Sequence, residues 1–209
     1  LVDGDITTTL TATASNSGGY AGTETATTTL KTSDNDTAGI SIAQTGTTDG
    51  SGNLLTTEAG STSTFTVVLD AKPTADVTVS ITGADSTEHS LSASSLTFTT
   101  SNWNTAQTVT VTGVDDNIVD GDITTTLTAT ASNSGGYAGT ETATTTLKTS
   151  DNDSSGITIA QTGTTDGSGN LLTTEAGSTS TFTVVLDAQP TANVTVTLSG
   201  ADSTEHYLS

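Results

Sequence analysis

The chain repeats itself at an offset of 117 residues. Residues 2–36 match residues 119–153 without a difference, and residues 37–92 match residues 154–209 with nine differences. A fixed period of this length indicates a whole domain repeated in tandem. We therefore predict one complete repeat at 37–153. Residues 1–36 are expected to be the last two strands of a preceding repeat, and residues 154–209 the first three strands of a following one.

Alternating Thr and Val within the complete repeat predict an all-β domain. Seven short strands of this kind are typical of an immunoglobulin-like antiparallel β-sandwich. In the second predicted strand, Phe65, Val67 and Leu69 share one face, and Trp103 and Tyr137 are expected to pack on the core. The predicted strands cover residues 39–44, 63–70, 76–82, 95–100, 107–114, 123–132 and 141–149.

The charge balance excludes several classes of partner. There are 23 Asp and Glu residues against 3 Lys and Arg, which gives a formal net charge of −20. Nucleic acids and anionic membranes bind clustered basic residues, so neither is an expected partner. Without cysteine, disulfides, thiol nucleophiles and Cys-based zinc sites are impossible. No apolar run reaches 18 residues, so we expect no membrane insertion.

The acidic residues of the complete repeat gather on alternate connections. In a seven-stranded sandwich these connections share one pole with the end of the last strand, whereas the connections of the other pole contain no acid. Carboxylates from several loops suit a hard divalent cation, and Ca²⁺ takes six to eight oxygen ligands. The alternative is that Asp and Asn serve only as turn residues, which would account for Asp49. The acids of this pole are Asp49, Glu58, Asp85, Glu88, Asp115, Asp116, Asp120, Asp122, Asp151 and Asp153, with Asn152 among them.

At these residues the repeat resembles a Calx-β domain, a calcium-binding sandwich. The resemblance covers most of residues 37–153, through "TTEAGSTSTFTVVLDAKPTADVTV", "SLTFTTSNWNTAQTVTVTGVDDNIVDGD" and the closing "DND". It implies Ca²⁺ ligands at Glu58, Asp115, Asp116, Asp120, Asp151 and Asp153, with the neutral Asn152 in the middle of the triplet. The partial copies would supply Asp3, Asp34, Asn35, Asp36 and Glu175. Asp85, Glu88 and Asp122 are further candidates.

Tandem, Thr-rich, cysteine-free copies also resemble the extender region of giant repeats-in-toxin (RTX) adhesins. The resemblance implies a structural spacer, secreted to a bacterial cell surface and stiffened by calcium at the junctions between repeats. An alternative is a module that binds glycan or ice through regular threonines such as "TTTLTATA" at 124–131. The RTX nonapeptide itself is absent.

An enzyme is not expected. The only histidines are His89 and its copy His206, both in "STEH", where we predict solvated side chains with no Ser-His-Asp constellation. The expected partners are neighbouring repeats of the same chain. Residues 1–36 and 154–209 cannot each bury a core alone. We therefore expect the tail of one chain to pair with the head of another, head-to-tail or reciprocally.

Overall fold

The computed structural model describes residues 1–208, and every regular element within them is a β-strand. The all-β prediction is confirmed. Among these residues, no helix is long and apolar enough to cross a membrane. The chain divides into two compact units, the first formed by residues 1–114 and 123–150 and the second by residues 115–122 and those from 151 onwards. The predicted repeat boundaries at 36/37 and 153/154 stay predictions.

The described residues of the first unit form thirteen strands. They are β1 Ile6–Thr13, β2 Thr25–Thr32, β3 Ile40–Gln44, β4 Leu54–Thr57, β5 Thr62–Leu69, β6 Val77–Thr82, β7 His89–Leu91, β8 Ser95–Phe98, β9 Gln107–Gly113, β10 Ile123–Ala131, β11 Asn133–Ser134, β12 Tyr137–Ala138 and β13 Thr142–Ser150.

Two sheets enclose the core of this unit. One has the strand order β4-β13-β10-β6-β8 and the other β3-β5-β9-β7. Neighbouring strands are antiparallel, except that β4 runs parallel to β13 with Leu54 opposite Leu147. Side chains from both sheets make up one buried apolar cluster, which includes Phe65, Phe98 and Leu127. The arrangement is a β-sandwich, as the alternation predicts.

Alternation along β5 explains how this strand packs. Phe65, Val67 and Leu69 are buried while the residues between them are partly exposed, which confirms the predicted face. Tyr137 is buried in the core and Trp103 packs partly buried against it. Burying an apolar side chain of this size contributes roughly 1.5–3 kcal/mol.

The prediction of seven strands is too low for residues 37–153. Each predicted stretch contains a strand, but β4, β7 and the β11–β12 ribbon are additional. β4 is four residues long and β7 three, too short for a period of two to be visible in the sequence. Neighbouring strands supply the pairing that these short segments need, through β13 for β4 and β9 for β7.

The hairpin of β1 and β2 pairs Ile6 with Thr32 and Thr13 with Thr25, and every residue of both strands is exposed. Lys31 Nζ lies 2.6 Å from Asp5 Oδ2 at its base. Val2, just before the hairpin, packs against the core of the unit, and its N–H donates to Lys72 O at 2.9 Å.

The second unit contains the antiparallel strands β14 (Ile157–Gln161) and β15 (Phe182–Leu186). Residues 115–122 join it through a parallel bridge between Ile118 and Gln189, and Gln189 N–H donates to Asn117 O at 2.6 Å. Gln189 occupies the repeat position of Lys72, and Ile118 and Val119 occupy those of Leu1 and Val2. At the offset of the sequence repeat, both segments therefore hydrogen-bond to the residue at this position, which accepts through its carbonyl at Lys72 and donates through its N–H at Gln189.

Candidate metal centre

Asp151 organises the acidic segments of the second unit through its backbone hydrogen bonds. Its Oδ2 accepts from Gly121 N–H at 2.8 Å, and its Oδ1 accepts from Asp153 N–H at 2.7 Å. Its own N–H donates to Asp122 Oδ1 at 3.2 Å. Gly121 has φ +81°, a conformation that glycine adopts without strain. Two chain segments, 121–122 and 151–153, are therefore held together by the hydrogen bonds of one residue.

Asp34 makes the same three hydrogen bonds 117 residues earlier. It accepts from Gly4 N–H at 2.8 Å and from Asp36 N–H at 2.9 Å, and its N–H donates to Asp5 Oδ1 at 2.9 Å. The arrangement forms in the isolated β1–β2 hairpin, so it is encoded locally in "VDGD" and "DND". Asp122 and its copy Asp5 act in this scaffold, a role that ligand patterns in the sequence do not suggest.

The adjacent aspartates at 115 and 116 are held by different groups. Asn152 Nδ2 donates to Asp115 Oδ1 at 3.0 Å, so the middle residue of the triplet contributes its amide N–H to the cluster. Asp116 Oδ1 accepts from Ile118 N–H at 2.7 Å, which shapes the turn that leads to the bridge with Gln189.

The carboxyl group of Asp153 is affected by four other acidic side chains of the second unit. Its Oδ2 is buried, and no group of the described residues donates a hydrogen bond to it. Burial raises the pKa of the Asp153 carboxyl, and the negative charges of Asp151, Asp115, Asp116 and Asp120 raise it further. An orphaned buried carboxylate oxygen facing four other acids fits a hard cation, which replaces the missing donors and offsets the repulsion.

Two glutamates of the first unit form a second acidic pair. Glu58 is 1 % exposed and Glu88 is 4 % exposed, and their carboxylate oxygens lie within 4.8 Å of each other. Burying two like charges this close costs free energy unless a cation or a proton is shared between them. In the second unit, the oxygens of Asp151 and Asp153 also lie within 4.8 Å of each other.

Backbone contacts place both glutamates at strand ends that continue into the acidic segments. Glu58 N–H donates to Ser150 O at 3.1 Å, and Ser150 directly precedes Asp151. Val114 N–H donates to Glu88 O at 2.8 Å, and Val114 directly precedes Asp115. The described residues therefore contain acidic clusters that could hold a metal ion, and carboxylate donors alone do not distinguish Ca²⁺ from other hard cations.

Two other acids serve as turn residues. Asp49 Oδ1 accepts from the N–H groups of Ser51 and Asn53, both at 2.9 Å, and Asp85 Oδ1 accepts from Thr87 N–H at 3.1 Å and Thr87 Oγ1 at 2.7 Å. Asn53 and Thr87 hold the pKa of Asp49 and Asp85, respectively, below the usual range. The turn interpretation thus accounts for Asp49. On the connection between β6 and β7, Glu88 fits a metal better than Asp85, which serves the turn.

The prediction of a solvated His89 is wrong. The side chain is 1 % exposed, and its Nε2 accepts from Asp85 N–H at 3.3 Å, while the buried Nδ1 has no hydrogen-bond partner within residues 1–208. Burial lowers the pKa of His89, and the nearby Asp85 charge opposes that effect. The sequence missed this burial because the three residues of β7 are too few to show an inward face.

The partial copies place their candidate residues in open surroundings. Asp3 N–H donates to Asp34 Oδ2 at 3.2 Å, and Asp36 contacts the N-terminal amine. Asn35 and Glu175 are exposed, although Glu175 is the copy of the buried Glu58. Identical residue types at 58 and 175 therefore have different surroundings.

Comparisons with known proteins leave the family open. No protein-family model matches the sequence, and no curated protein matches it significantly. Similar solved structures include SSP-19 of Caenorhabditis elegans, an MSP-domain protein like family member. It is 13 % identical with a TM-score of 0.33, and the match covers 48 % of this chain and 94 % of that one. A protein of unknown function from Porphyromonas gingivalis W83 is 10 % identical with a TM-score of 0.36, and covers 58 % of this chain and 55 % of that one.

Proposed function

We propose that this chain is part of an extracellular spacer, a tandem array of Calx-β-like, immunoglobulin-like repeats that Ca²⁺ stiffens at each junction. Such an array would serve as the extender of a bacterial cell-surface adhesin of the RTX type, holding a distal binding domain away from the cell. The observed β-sandwich supports the architecture that the proposal gives to one repeat. The 117-residue repeat in the sequence supports the tandem array.

The observation that carries the proposal is the double role of residues 115–122. This segment bears four aspartates: Asp115, Asp116 and Asp120 raise the pKa of Asp153, and Asp122 accepts a hydrogen bond from the Asp151 N–H. The same segment makes the backbone contacts to Gln189 in the residues that begin the next copy. A cation bound by the segment would therefore fix the part of the chain that meets the following repeat.

In this proposal the ligands are Glu58, Asp115, Asp116, Asp120, Asp151 and Asp153, with Glu88 as an additional candidate. Repulsion among these carboxylates opposes folding of the acidic segments, and a bound divalent ion would offset part of it. Folding of the segments and ion binding are therefore coupled. Extracellular calcium modules commonly have Kd values of about 10⁻⁴–10⁻³ M. Without calcium, repulsion among the aspartates would loosen the junction.

Thermal unfolding with EGTA, with Ca²⁺ and with Mg²⁺ tests this function. We expect the Tm to rise steeply with Ca²⁺ and little with Mg²⁺, because Mg²⁺ retains its water ligands. At one hundred times the Kd, Ca²⁺ would add about 2.7 kcal/mol to the free energy of unfolding. An unchanged Tm in Ca²⁺ would refute the calcium site.

A pair of charge-matched variants makes the test specific. Asp153→Asn removes repulsion, so it should raise the Tm in EGTA and shrink the rise that Ca²⁺ produces. Asp76→Asn removes one negative charge at a position where the second copy has Asn193, and should leave the calcium response unchanged. Equal calcium responses in both variants would show that the effect of Ca²⁺ does not arise at the Asp153 cluster.

A further inference from the structure

Identical residues have opposite environments in the two copies of the closing hairpin. Leu127 and Leu147 of β10 and β13 are 0 % exposed, whereas their copies Leu10 and Leu30 in β1 and β2 are 50 % and 56 % exposed. Tyr137 is 2 % exposed and its copy Tyr20 is 58 % exposed. Because residues 2–36 and 119–153 are identical, sequence cannot be the cause. Among the described residues, none covers the β1–β2 hairpin in the way that β10 and β13 are covered.

The first unit shows what that surface is. The β10–β13 hairpin lies between β4 and β6, with Leu147 opposite Leu54 and Ala129 opposite Ile81. Tyr137 reaches from the turn of the hairpin to the backbone beside β3 and β5. Its hydroxyl donates to Ala71 O at 2.8 Å and lies 3.3 Å from Gly39 O.

The matching surface recurs, uncovered, in the second unit. Val194, Val196 and Leu198 are 54 %, 37 % and 44 % exposed, and no strand forms there. Their copies Val77, Val79 and Ile81 in β6 are 0 %, 0 % and 5 % exposed. In the first unit, β10 and β8 hold β6 on its two sides. The segment around Val196 has the side chains of a central strand without the neighbouring strands.

A cleft in the second unit corresponds to the site of Tyr137. It has a volume of about 510 Å³, and Gly156, Ile157, Leu186, Ala188 and Pro190 are among its lining residues. Gly156 and Ala188 are the copies of Gly39 and Ala71, whose carbonyl groups meet the Tyr137 hydroxyl. The residues that line the cleft therefore include the copies of both residues whose carbonyl groups meet the Tyr137 hydroxyl.

We propose that this surface binds the β1–β2 hairpin of a second copy of this chain. Tyr20 enters the cleft, with its hydroxyl at Ala188 O and Gly156 O. The pairs of the β10–β13 hairpin in the first unit define the pairs between the two chains. Leu30 lies opposite Leu171 in parallel orientation, and Ala12 lies opposite Leu198 in antiparallel orientation. The interface is heterologous, since hairpin and cleft are different surfaces, so assembly gives either closed rings or open chains.

Cysteine cross-linking in this cysteine-free chain tests the pairing. Thr56 and Thr149 place their Oγ1 atoms 3.1 Å apart in the first unit, and the corresponding residues between two copies are Thr173 and Thr32. Chains carrying only Thr32→Cys are mixed with chains carrying only Thr173→Cys under mild oxidation. We expect disulfide-linked dimers in which peptide mapping finds residue 32 joined to residue 173. Because each chain has one cysteine, closure within a chain cannot produce this species.

Two controls fix the interpretation. The double variant Thr56→Cys/Thr149→Cys should form a disulfide within one chain and shows that the geometry permits the bond. Thr9→Cys mixed with Thr173→Cys should give much less cross-linking, because its copy Thr126 faces outward. Cross-linking of residue 9 as readily as residue 32, or no 32–173 product, would overturn the proposal.

Mass measured by light scattering gives a second readout without cysteines. The full chain should gain mass with concentration, and Tyr20→Ala should lose most of that gain. Tyr207→Ala removes a tyrosine that is 87 % exposed, and should leave the gain unchanged. A mass equal to one chain over the whole accessible concentration range would overturn the proposal, as would equal effects of the two tyrosine variants.

Discussion

At the scale of single residues, Tyr137 joins the core to the backbone of two strand ends. Its ring is buried, and its hydroxyl donates to Ala71 O and accepts from Ala71 N–H at 3.4 Å. Removing the hydroxyl while keeping the ring leaves these buried backbone groups without their partner, and an unsatisfied group of this kind costs about 1–3 kcal/mol.

Tyr137→Phe should therefore lower the free energy of unfolding by roughly 1–2 kcal/mol without changing the fold. Urea unfolding followed by circular dichroism measures the difference, and the slope of the transition should stay the same. Tyr207→Phe, at an exposed position, is the control and should have no effect. A Tyr137→Phe variant as stable as the original protein would contradict this account of the hydroxyl.

Glu141 makes the stability dependent on pH. Partial burial acts to raise its pKa, but hydrogen bonds from the N–H groups of Ala138 and Gly139, both at 3.0 Å, hold the pKa below its usual range. A carboxylate with a lowered pKa in the folded state stabilises the protein above its unfolded pKa of about 4.5. That contribution disappears as the pH falls through the lower, folded pKa.

Glu141→Gln should lower the Tm at pH 7, and the difference from the original protein should shrink as the pH falls below about 4.5. Glu24→Gln is a matched control, since Glu24 accepts from Ala21 N–H in the exposed β1–β2 hairpin, outside the core. Thermal unfolding across this pH range measures the difference. If the Tm of Glu141→Gln and of the original protein changed with pH in parallel, the Glu141 carboxylate would not be the cause of the pH dependence.

At the scale of the elements, a close approach beside Gly113 fixes the end of β9. A Cβ atom added to Gly113 would collide with the carbonyl of Thr57, which ends β4. Gly113 N–H also donates to Ser61 O at 3.0 Å, so the backbone cannot retreat without losing a hydrogen bond. The close packing of the end of β9 against β4, just before residues 115–122, therefore requires glycine at position 113.

Gly113→Ala should destabilise the first unit by about 1–3 kcal/mol, as overpacking in a close-packed region does. Gly50→Ala is the control, because a Cβ at Gly50 has no neighbour within 4 Å. Urea unfolding of both variants gives the comparison. Equal stability of the two would mean that the contact between β9 and Thr57 O relaxes at no cost.

The elements also show what the sequence could and could not predict. Long alternating strands such as β5 and β10 were predictable because a buried face needs a period of two over several residues. β4 and β7 were not, since their pairing comes from β13 and β9, which are distant in sequence. Missing β7 hid the burial of both Glu88 and His89. The positions of the acids could be read from the sequence. The role of the Asp122 carboxylate, which accepts from the Asp151 N–H, could not, because it depends on a contact between segments.

At the scale of the whole molecule, a net charge of −20 acts on stability apart from any single site. Self-repulsion among acids destabilises a compact state, and salt screens it. The Debye length falls from about 30 Å at 0.01 M to about 8 Å at 0.15 M ionic strength, so sodium chloride weakens repulsion between distant acids most. A bound divalent cation instead acts on the few carboxylates that contact it.

These two effects predict different dose responses. In EGTA, sodium chloride should raise the Tm gradually, and Asp153→Asn should leave that slope nearly unchanged because 22 of the 23 acids remain. When Ca²⁺ is then added in 0.15 M sodium chloride, the Tm should rise further and level off as the Ca²⁺ concentration exceeds the Kd of the site. Asp153→Asn should reduce this second rise. If sodium chloride at the same ionic strength reproduced the whole effect of Ca²⁺, then screening would explain the stabilisation and the acidic segments would need no bound ion.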